Sequence, residues 1–195
     1  MGSEAVSYNV LVGRNPKAAH LMIYIVGIHH ELQYWDGSDS PFLAAFRDWN
    51  YTLKLSVFAE ELNQEEIEKQ QQFLGRTLAS TAQQAASLLG LEHRFCDPNT
   101  FERAALGILA TKDLRKKLGL RAGENEDFLQ KEERRLYWPL REKFWLERIR
   151  DKSEEEILFI CGACHVESFL SLVESSGLKA TVIHKDWVIE KPFMV

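Results

Sequence analysis

The sequence predicts an α/β fold in which helices flank a mainly parallel central sheet. Three observations carry this prediction: five short apolar runs are rich in β-forming residues, helical patterns separate them, and polar residues follow the ends of the runs. Strands that alternate with helices form parallel sheets with right-handed crossovers. A chain of 195 residues with 45% hydrophobic content suits a single domain over residues 1–195.

The apolar runs are the predicted strands, because they are too short for most helices. They cover residues 22–28, 53–59, 91–96, 157–162 and 180–184. Ser40 suits the N-cap of a first helix and Asn63 that of a second, which Gly90 ends. The predicted helices cover residues 41–50, 64–89, 100–119, 126–152 and 166–175, and the stretch at about 100–152 is a helical insertion before the last two strands.

Charge and composition argue against several classes of protein. The formal net charge is -5 and no segment concentrates basic residues, which disfavours nucleic-acid binding. The apolar run at residues 21–28 is too short to cross a bilayer and lacks the cleavage site of a signal peptide. Three cysteines do not make a disulfide framework. We therefore expect a cytoplasmic protein without a membrane partner, and homo-oligomer formation stays open.

Polar side chains collect where the predicted strands end. Because ligands bind outside the carboxyl ends of parallel strands, these side chains are expected to share one site. His, Glu and Asp are the residue types of a divalent metal site and equally of an acid–base site, so both alternatives stay open. The candidates are His29, His30, Glu60, Glu61, Asp97, Cys164 and His165.

Two Gly-x-x-His turns, Gly27-Ile28-His29-His30 and Gly162-Ala163-Cys164-His165, are the strongest functional signal. Each follows an apolar strand directly, and glycine lets the backbone turn sharply and approach a ligand. Any single polar residue at a strand end is more commonly just solvated. The pair together predicts one functional site.

The string from Cys161 to His165 also spells a haem c attachment motif and resembles a thioredoxin-type pair. Export is not indicated, and only one strand follows where a thioredoxin would have several. Both cysteines are therefore predicted to be small buried apolar residues. A zinc site using Cys164 with His165 remains an alternative.

These motifs resemble those of the TraB, Tiki and ChaN/EreA-like superfamily, in which two Gly-x-x-His motifs lie at opposite ends of one domain. The resemblance covers residues 21–185 and includes an acidic residue after the second strand and an Arg before the second motif. The segment from Asp97 to Arg103 is similar to the family's Asp followed by Thr and Arg. The matching segments are 24–30, 58–61, 141–145 and 159–165.

The resemblance implies an α/β core with these residues gathered in a cleft. Tiki-like members include metal-dependent peptidases, EreA-like members hydrolyse a macrolide ester, and ChaN-like members bind haem iron. We expect no membrane anchor, which departs from the family pattern, as do Cys164 where a small residue is usual and Glu142 after Arg141 where Asn is common. The residues that match are His30, Glu60 or Glu61, Arg141 and His165.

The leading hypothesis is a metal-dependent hydrolase of peptide or ester bonds in a peptide or small-molecule substrate. His30, His165 and Glu60 or Glu61 bind a divalent cation (Mn, Co, Zn or Fe), the other Glu acts as general base, and Arg141 stabilises an oxyanion or binds a carboxylate. Residues expected to support the ligands or contact substrate are His29, Asp97, Arg103 and Cys164.

Three alternatives accompany it. A metal-free hydrolase would use one histidine as general base. A non-catalytic module of the same fold would hold haem or a metal, or bind another protein. A thiol redox protein would use Cys161 and Cys164.

Overall fold

The sheet of the computed structural model is parallel throughout, and the structure describes residues 22–34, 41–75, 77–152 and 155–187. The strands are β1 (Met22–Ile28), β2 (Val57–Glu60), β3 (Glu92–Phe95), β4 (Glu156–Gly162) and β5 (Lys179–Trp187). Their order across the sheet is β3-β2-β4-β1-β5. The predicted α/β class with a parallel sheet is confirmed.

The helices differ from the prediction mainly by being divided. They are α1 (Pro41–Leu53), α2 (Gln64–Leu74), α3 (Thr81–Leu89), α4 (Thr100–Ala105), α5 (Thr111–Lys117), α6 (Glu126–Ile149) and α7 (Val166–Ser175). None of the described helices is long and apolar enough to cross a membrane.

The predicted helix over 64–89 is wrong in its middle. Gly75, at φ 65°, ends α2 in the left-handed conformation, and Ser80 begins α3 by accepting a hydrogen bond from the Gln83 amide. Gly107, at φ 73°, likewise interrupts the predicted helix over 100–119. The predicted strand over 53–59 is also wrong at its start, since Leu53 still belongs to α1. The proposed cap Ser40 lies outside the described residues.

Alternation along the strands sends side chains to two apolar layers. One layer lies under α6 and α7 and centres on Trp145, Phe159 and Phe169. The other lies under α1 and α3 and includes Phe46 and Phe58. The second half of α6 therefore packs into the core of the domain. Its first half joins α5 in a smaller cluster of its own.

The two Gly-x-x-His turns emerge side by side because β1 and β4 are neighbours in the sheet. Ile28 at the end of β1 lies opposite Gly162 at the end of β4. Short 3-10 turns follow each strand, at His30–Tyr34 and Ala163–His165. The sheet order thus brings residues about 135 positions apart in the chain to one edge, as expected for the carboxyl ends of parallel strands.

Candidate functional site

Gly162 is the point at which the two turns touch. A Cβ atom placed there would lie 2.7 Å from Nε2 of His30 and 3.4 Å from Oε2 of Glu61. Glycine at this position therefore lets the imidazole of the first turn approach the backbone of the second. The predicted convergence of the two motifs has this contact as its structural basis.

Glu61 follows β2 and links the second turn to α6. Its Oε2 accepts a hydrogen bond from the Gly162 amide at 2.8 Å, and its Oε1 accepts one from Nη2 of Arg141 at 2.7 Å. The same Oε1 lies 3.5 Å from Nε2 of His165. The carboxylate is buried, with 2% of the residue exposed, and both oxygens have partners.

Glu60, its neighbour, points the other way. Oε1 of Glu60 lies 2.7 Å from Nε2 of His93 and accepts a hydrogen bond from the hydroxyl of Ser80. Consecutive residues of a strand face opposite sides of a sheet, so only one of the two carboxylates can face α6. The structure brings Glu61 to Arg141 and His165, and it places Glu60 on the side of α3.

Arg141 is held by two carboxylates. Its Nε donates to Oδ1 of Asp97 at 2.8 Å, and its Nη2 donates to Glu61. Burial lowers the pKa of the Arg141 guanidinium, but the charges of Glu61 and Asp97 outweigh this and raise the pKa above its usual value. Asp97 also accepts hydrogen bonds from Nε1 of Trp145 at 2.9 Å and from Arg103. Asp97 and Arg103 therefore hold Arg141 in place from behind.

His165 is a buried histidine, with 2% of its surface exposed. Its Nδ1 lies 2.7 Å from Oε1 of Glu142, which also accepts a hydrogen bond from the Ser168 hydroxyl at 2.6 Å. An ionised carboxylate only accepts, so Nδ1 carries a hydrogen, while Nε2 faces Oε1 of Glu61. The ring of Trp138 covers the imidazole, with their centroids 3.8 Å apart.

Sequence reasoning missed the roles of Glu142 and Trp138. The sequence marks Glu142 only as a departure from the family pattern, and no motif singles out Trp138. The signal was their spacing: Trp138, Arg141, Glu142 and Trp145 recur at i, i+3, i+4 and i+7, which places them on one face of α6.

His30 differs in being exposed. Its Nδ1 lies 2.8 Å from Oε1 of Gln33, a residue that is itself buried. With the amide oxygen facing Nδ1, the matching neutral form of the imidazole is the Nδ1–H tautomer, in which Nε2 presents a lone pair beside Gly162 and Glu61.

A cleft opens over this edge of the sheet as two recesses of about 350 and 420 Å³. Both are lined by His30, Glu61 and Arg141, and their sizes suit a small ligand. The first recess is also lined by Tyr34, Leu62, Glu66, Lys69 and Gln70, and the second by Gln130, Glu133, Arg134, Trp138, Cys164 and His165.

Two groups in the first recess have altered acidity. Burial and the charge of Asp97 raise the pKa of Glu66. Burial and the charge of Glu66 raise the pKa of Tyr34 to about 12. Tyr34 is therefore neutral at physiological pH and offers a hydroxyl donor at the rim of the recess.

The remaining candidates lie at the edge of the site or below it. His29 is exposed and pairs with Asp186 at 3.5 Å, outside the residues that line the two recesses. Cys161 is buried in the sheet as predicted, whereas the prediction of a buried Cys164 is wrong, because Cys164 is exposed and lines the second recess. Burial raises the pKa of both thiols, with the charge of Glu61 as the next cause. Neither cysteine is set up as a thiolate nucleophile.

The donor chemistry does not fit a divalent cation. Within residues 22–34, 41–75, 77–152 and 155–187, no three His, Cys, Asp or Glu side chains form a group that could hold a metal ion. Arg141 brings a positive charge to Glu61, and Glu60 lies on the other side of the sheet. A metal centre at His30, His165 and either glutamate would need these contacts to be rearranged.

Haem ligation meets a similar obstacle at the second turn. His165 is covered by Trp138 and hydrogen-bonded to Glu142, so its imidazole is not presented to a large planar ligand.

Comparison with family models, with curated proteins and with solved structures found no match to this chain. The resemblance to the TraB, Tiki and ChaN/EreA-like superfamily therefore stays a prediction carried by the motifs.

Proposed function

We propose that this protein is a hydrolase of ester or peptide bonds in which His30 acts as general base without a metal. The observation that carries the proposal is the geometry of His30. Its imidazole is exposed in a cleft, Gln33 holds its Nδ1, and its Nε2 lone pair lies beside a buried Glu61–Arg141 pair. A general base needs a free lone pair within reach of water and substrate.

The first step follows from this geometry. Nε2 of His30 removes a proton from water as the water oxygen attacks the substrate carbonyl carbon, and the carbonyl oxygen becomes an oxyanion. Nη1 of Arg141 makes no hydrogen bond among the described residues, so it can donate to that oxyanion. The imidazolium then returns the proton to the leaving oxygen or nitrogen, which releases the acid and the alcohol or amine.

Glu61 and His165 support this machinery from beneath. Glu61 neutralises and orients Arg141, and it also bonds the Gly162 amide next to His30. His165 lies behind Glu61, bound to Glu142 and covered by Trp138. Its burial assigns it to positioning, whereas His30 has access to substrate.

The test is hydrolysis of a panel of activated esters and short peptides by wild type and by His30→Ala. General bases contribute about 10²- to 10⁴-fold, so kcat/KM is expected to fall by that factor. His184→Ala is the matched control, since this exposed histidine lies on β5 and contacts Trp49. Full activity after chelator treatment is expected. Loss of activity on chelation would support the metal-dependent alternative, and an inert wild type would end the proposal.

A further inference from the structure

In the described part of the chain, two buried polar atoms near the hydrogen-bond partner of His30 have no hydrogen-bond partner of their own. They are Nε2 of Gln33 and Oε2 of Glu60, and both residues are at least 99% buried. An unpaired buried donor or acceptor is costly, and native structures contain few of them. Here one atom is a donor and the other an acceptor, which is the combination that one bridging water satisfies.

The start of α3 contacts both the Glu60 side chain and the backbone of the segment that carries Gln33. The Ser80 hydroxyl donates to Oε1 of Glu60, and the Thr81 hydroxyl donates to the backbone oxygens of Leu32 at 2.8 Å and Gln33 at 3.3 Å. Ser80 and Thr81 are consecutive, so their Cα atoms are about 3.8 Å apart. The positive end of the α3 dipole also favours a carboxylate at this place.

We propose that Glu60, held by His93 and Ser80, sets the tautomer of His30 through the side-chain amide of Gln33. A water that donates to Oε2 of Glu60 accepts from the NH₂ group of Gln33, and the negative charge of the carboxylate favours this arrangement, which turns the amide oxygen towards His30. That oxygen accepts only from an Nδ1–H imidazole, which leaves the lone pair on Nε2 in the cleft.

The opposite amide orientation would have a definite consequence. The NH₂ group of Gln33 would face Nδ1, the hydrogen would move to Nε2, and His30 would have no lone pair for water. Glu60 is therefore a positioning residue that acts through Gln33. Its effect on turnover rests on the proposed function, whereas its effect on the tautomer does not.

The contacts of Glu60 with Ser80 and His93 decide which of its carboxylate oxygens is left for Gln33. Oε1 receives both the Ser80 hydroxyl and Nε2 of His93, the latter at 2.7 Å. Oε2 is the oxygen left over. His93 on β3 and His30 after β1 are thus joined by one polar chain that crosses the sheet edge.

The test is long-range ¹H–¹⁵N correlation NMR of the histidine side chains at about pH 8.5, two units above the ordinary histidine pKa of about 6.5. The His30 signal is assigned with His30→Gln. Wild type is expected to show the Nδ1–H form. Glu60→Gln is expected to shift His30 towards Nε2–H and to lower kcat about tenfold with little change in KM.

A compensating exchange makes the test specific. In the double variant Gln33→Glu with Glu60→Gln, the new carboxylate at position 33 accepts from His30 and from the new amide, so the Nδ1–H form and kcat are expected to return. Glu92→Gln is the matched control, because this exposed carboxylate on β3 pairs with Arg94 and Lys152. If Glu60→Gln does not fold, Gln33→Met is the second variant. It removes the side-chain amide through which Glu60 acts, and His30 is expected to take the Nε2–H form.

Two results would overturn the inference: an Nε2–H imidazole at His30 in wild type, or an unchanged tautomer in a folded Glu60→Gln or Gln33→Met variant. An inert wild type that shows the expected tautomers would contradict the proposed hydrolase and leave the Glu60–Gln33 relay standing. The NMR measurement therefore tests the Glu60–Gln33 relay, and the kinetic measurement independently tests the proposed hydrolase.

Discussion

The two Gly-x-x-His turns share a pattern but differ in what surrounds their histidines. His30 is exposed, and a neutral amide holds its Nδ1. His165 is buried, a carboxylate holds its Nδ1, and Trp138 covers its ring. One motif therefore supplies an accessible lone pair, and the other supplies a buried anchor.

The difference comes from α6, which runs over the second turn and leaves the first open. Glu142 and Trp138 both belong to that helix. A repeated sequence motif thus does not imply repeated chemistry, because the helix layer above each turn decides how much solvent its histidine meets. The predictions below test this division between an accessible and an anchoring histidine.

The largest expected effect is on stability at the second turn. His165→Ala leaves the buried Glu142 without its imidazole partner, and breaking such a pair costs about 3–5 kcal/mol. His30→Ala removes an exposed side chain and is expected to stay within about 0.5 kcal/mol. Urea unfolding of both variants measures the contrast, and equal losses would contradict the division of roles.

The glycines of the two turns are expected to differ in the same way. A Cβ on Gly27 would lie 2.0 Å from the backbone oxygen of Lys185, which cannot rotate away, so Gly27→Ala should cost about 3 kcal/mol. A Cβ on Gly162 meets the His30 imidazole instead. Gly162→Ala should cost about 1 kcal/mol or less but lower kcat/KM about 10²-fold, as small misplacements of catalytic groups do.

Thermal unfolding and ester hydrolysis of the same two variants separate these effects. A Cβ on Gly27 would also lie 2.5 Å from the side chain of Val166. Gly27→Ala is therefore also made together with Val166→Ala, which shortens that side chain. It is expected to rescue little, because the backbone contact remains. Full recovery of stability in the double variant would show that the Val166 side chain, and not the backbone of Lys185 on β5, requires glycine at position 27.

A smaller effect concerns Glu66 in the first recess. Its pKa is raised in the fold by burial and by Asp97, so its carboxyl stabilises the fold at low pH and this contribution is lost as pH rises through the raised pKa. Glu66→Gln should therefore match wild type below about pH 4 and exceed it at pH 7. Because the side chain is 37% exposed, the gain should be less than about 1 kcal/mol. Urea unfolding across pH checks the sign.

Much of the fold follows from periodicity. The apolar runs predict the five strands, and β1 and α7 have the predicted bounds. The break between α2 and α3 was missed because Gly75 and Ser80, the residue types of a C-cap and an N-cap, also occur inside helices, so neither alone fixes a helix end. Local propensity cannot decide such a case, since the packing of α3 against the sheet sets where the chain must turn.

The place of the site is more predictable than its internal chemistry. Polar residues at strand ends locate the cleft, because sheet order brings those ends together. Whether Glu60 or Glu61 enters it depends on which face of the sheet α6 covers, and the sequence does not encode that in any short segment. The partner Gln33 gave no signal in the sequence, since its role arises from its contact with an imidazole, whereas Glu142 gave only the helical spacing that places it on the Arg141 face of α6.

The smallest expected effect concerns the reactivity of the third residue of the second turn. This residue is Cys164, and like His29 at the same position of the first turn it is exposed. Burial and Glu61 raise the pKa of Cys164, and Cys161 and Cys96 are buried, the latter with its pKa raised to about 12. Native protein should therefore react slowly at one thiol with iodoacetamide, and at three only after unfolding.

A bulky maleimide on Cys164 is then expected to fill the second recess and inhibit hydrolysis, whereas Cys164→Ala stays active and insensitive. Mass spectrometry identifies the labelled residue. Rapid reaction of two thiols, or their joining in a disulfide, would instead favour the redox alternative. Labelling of Cys164 without inhibition would place the substrate outside this recess, on the side of the cleft formed by Tyr34 and Glu66.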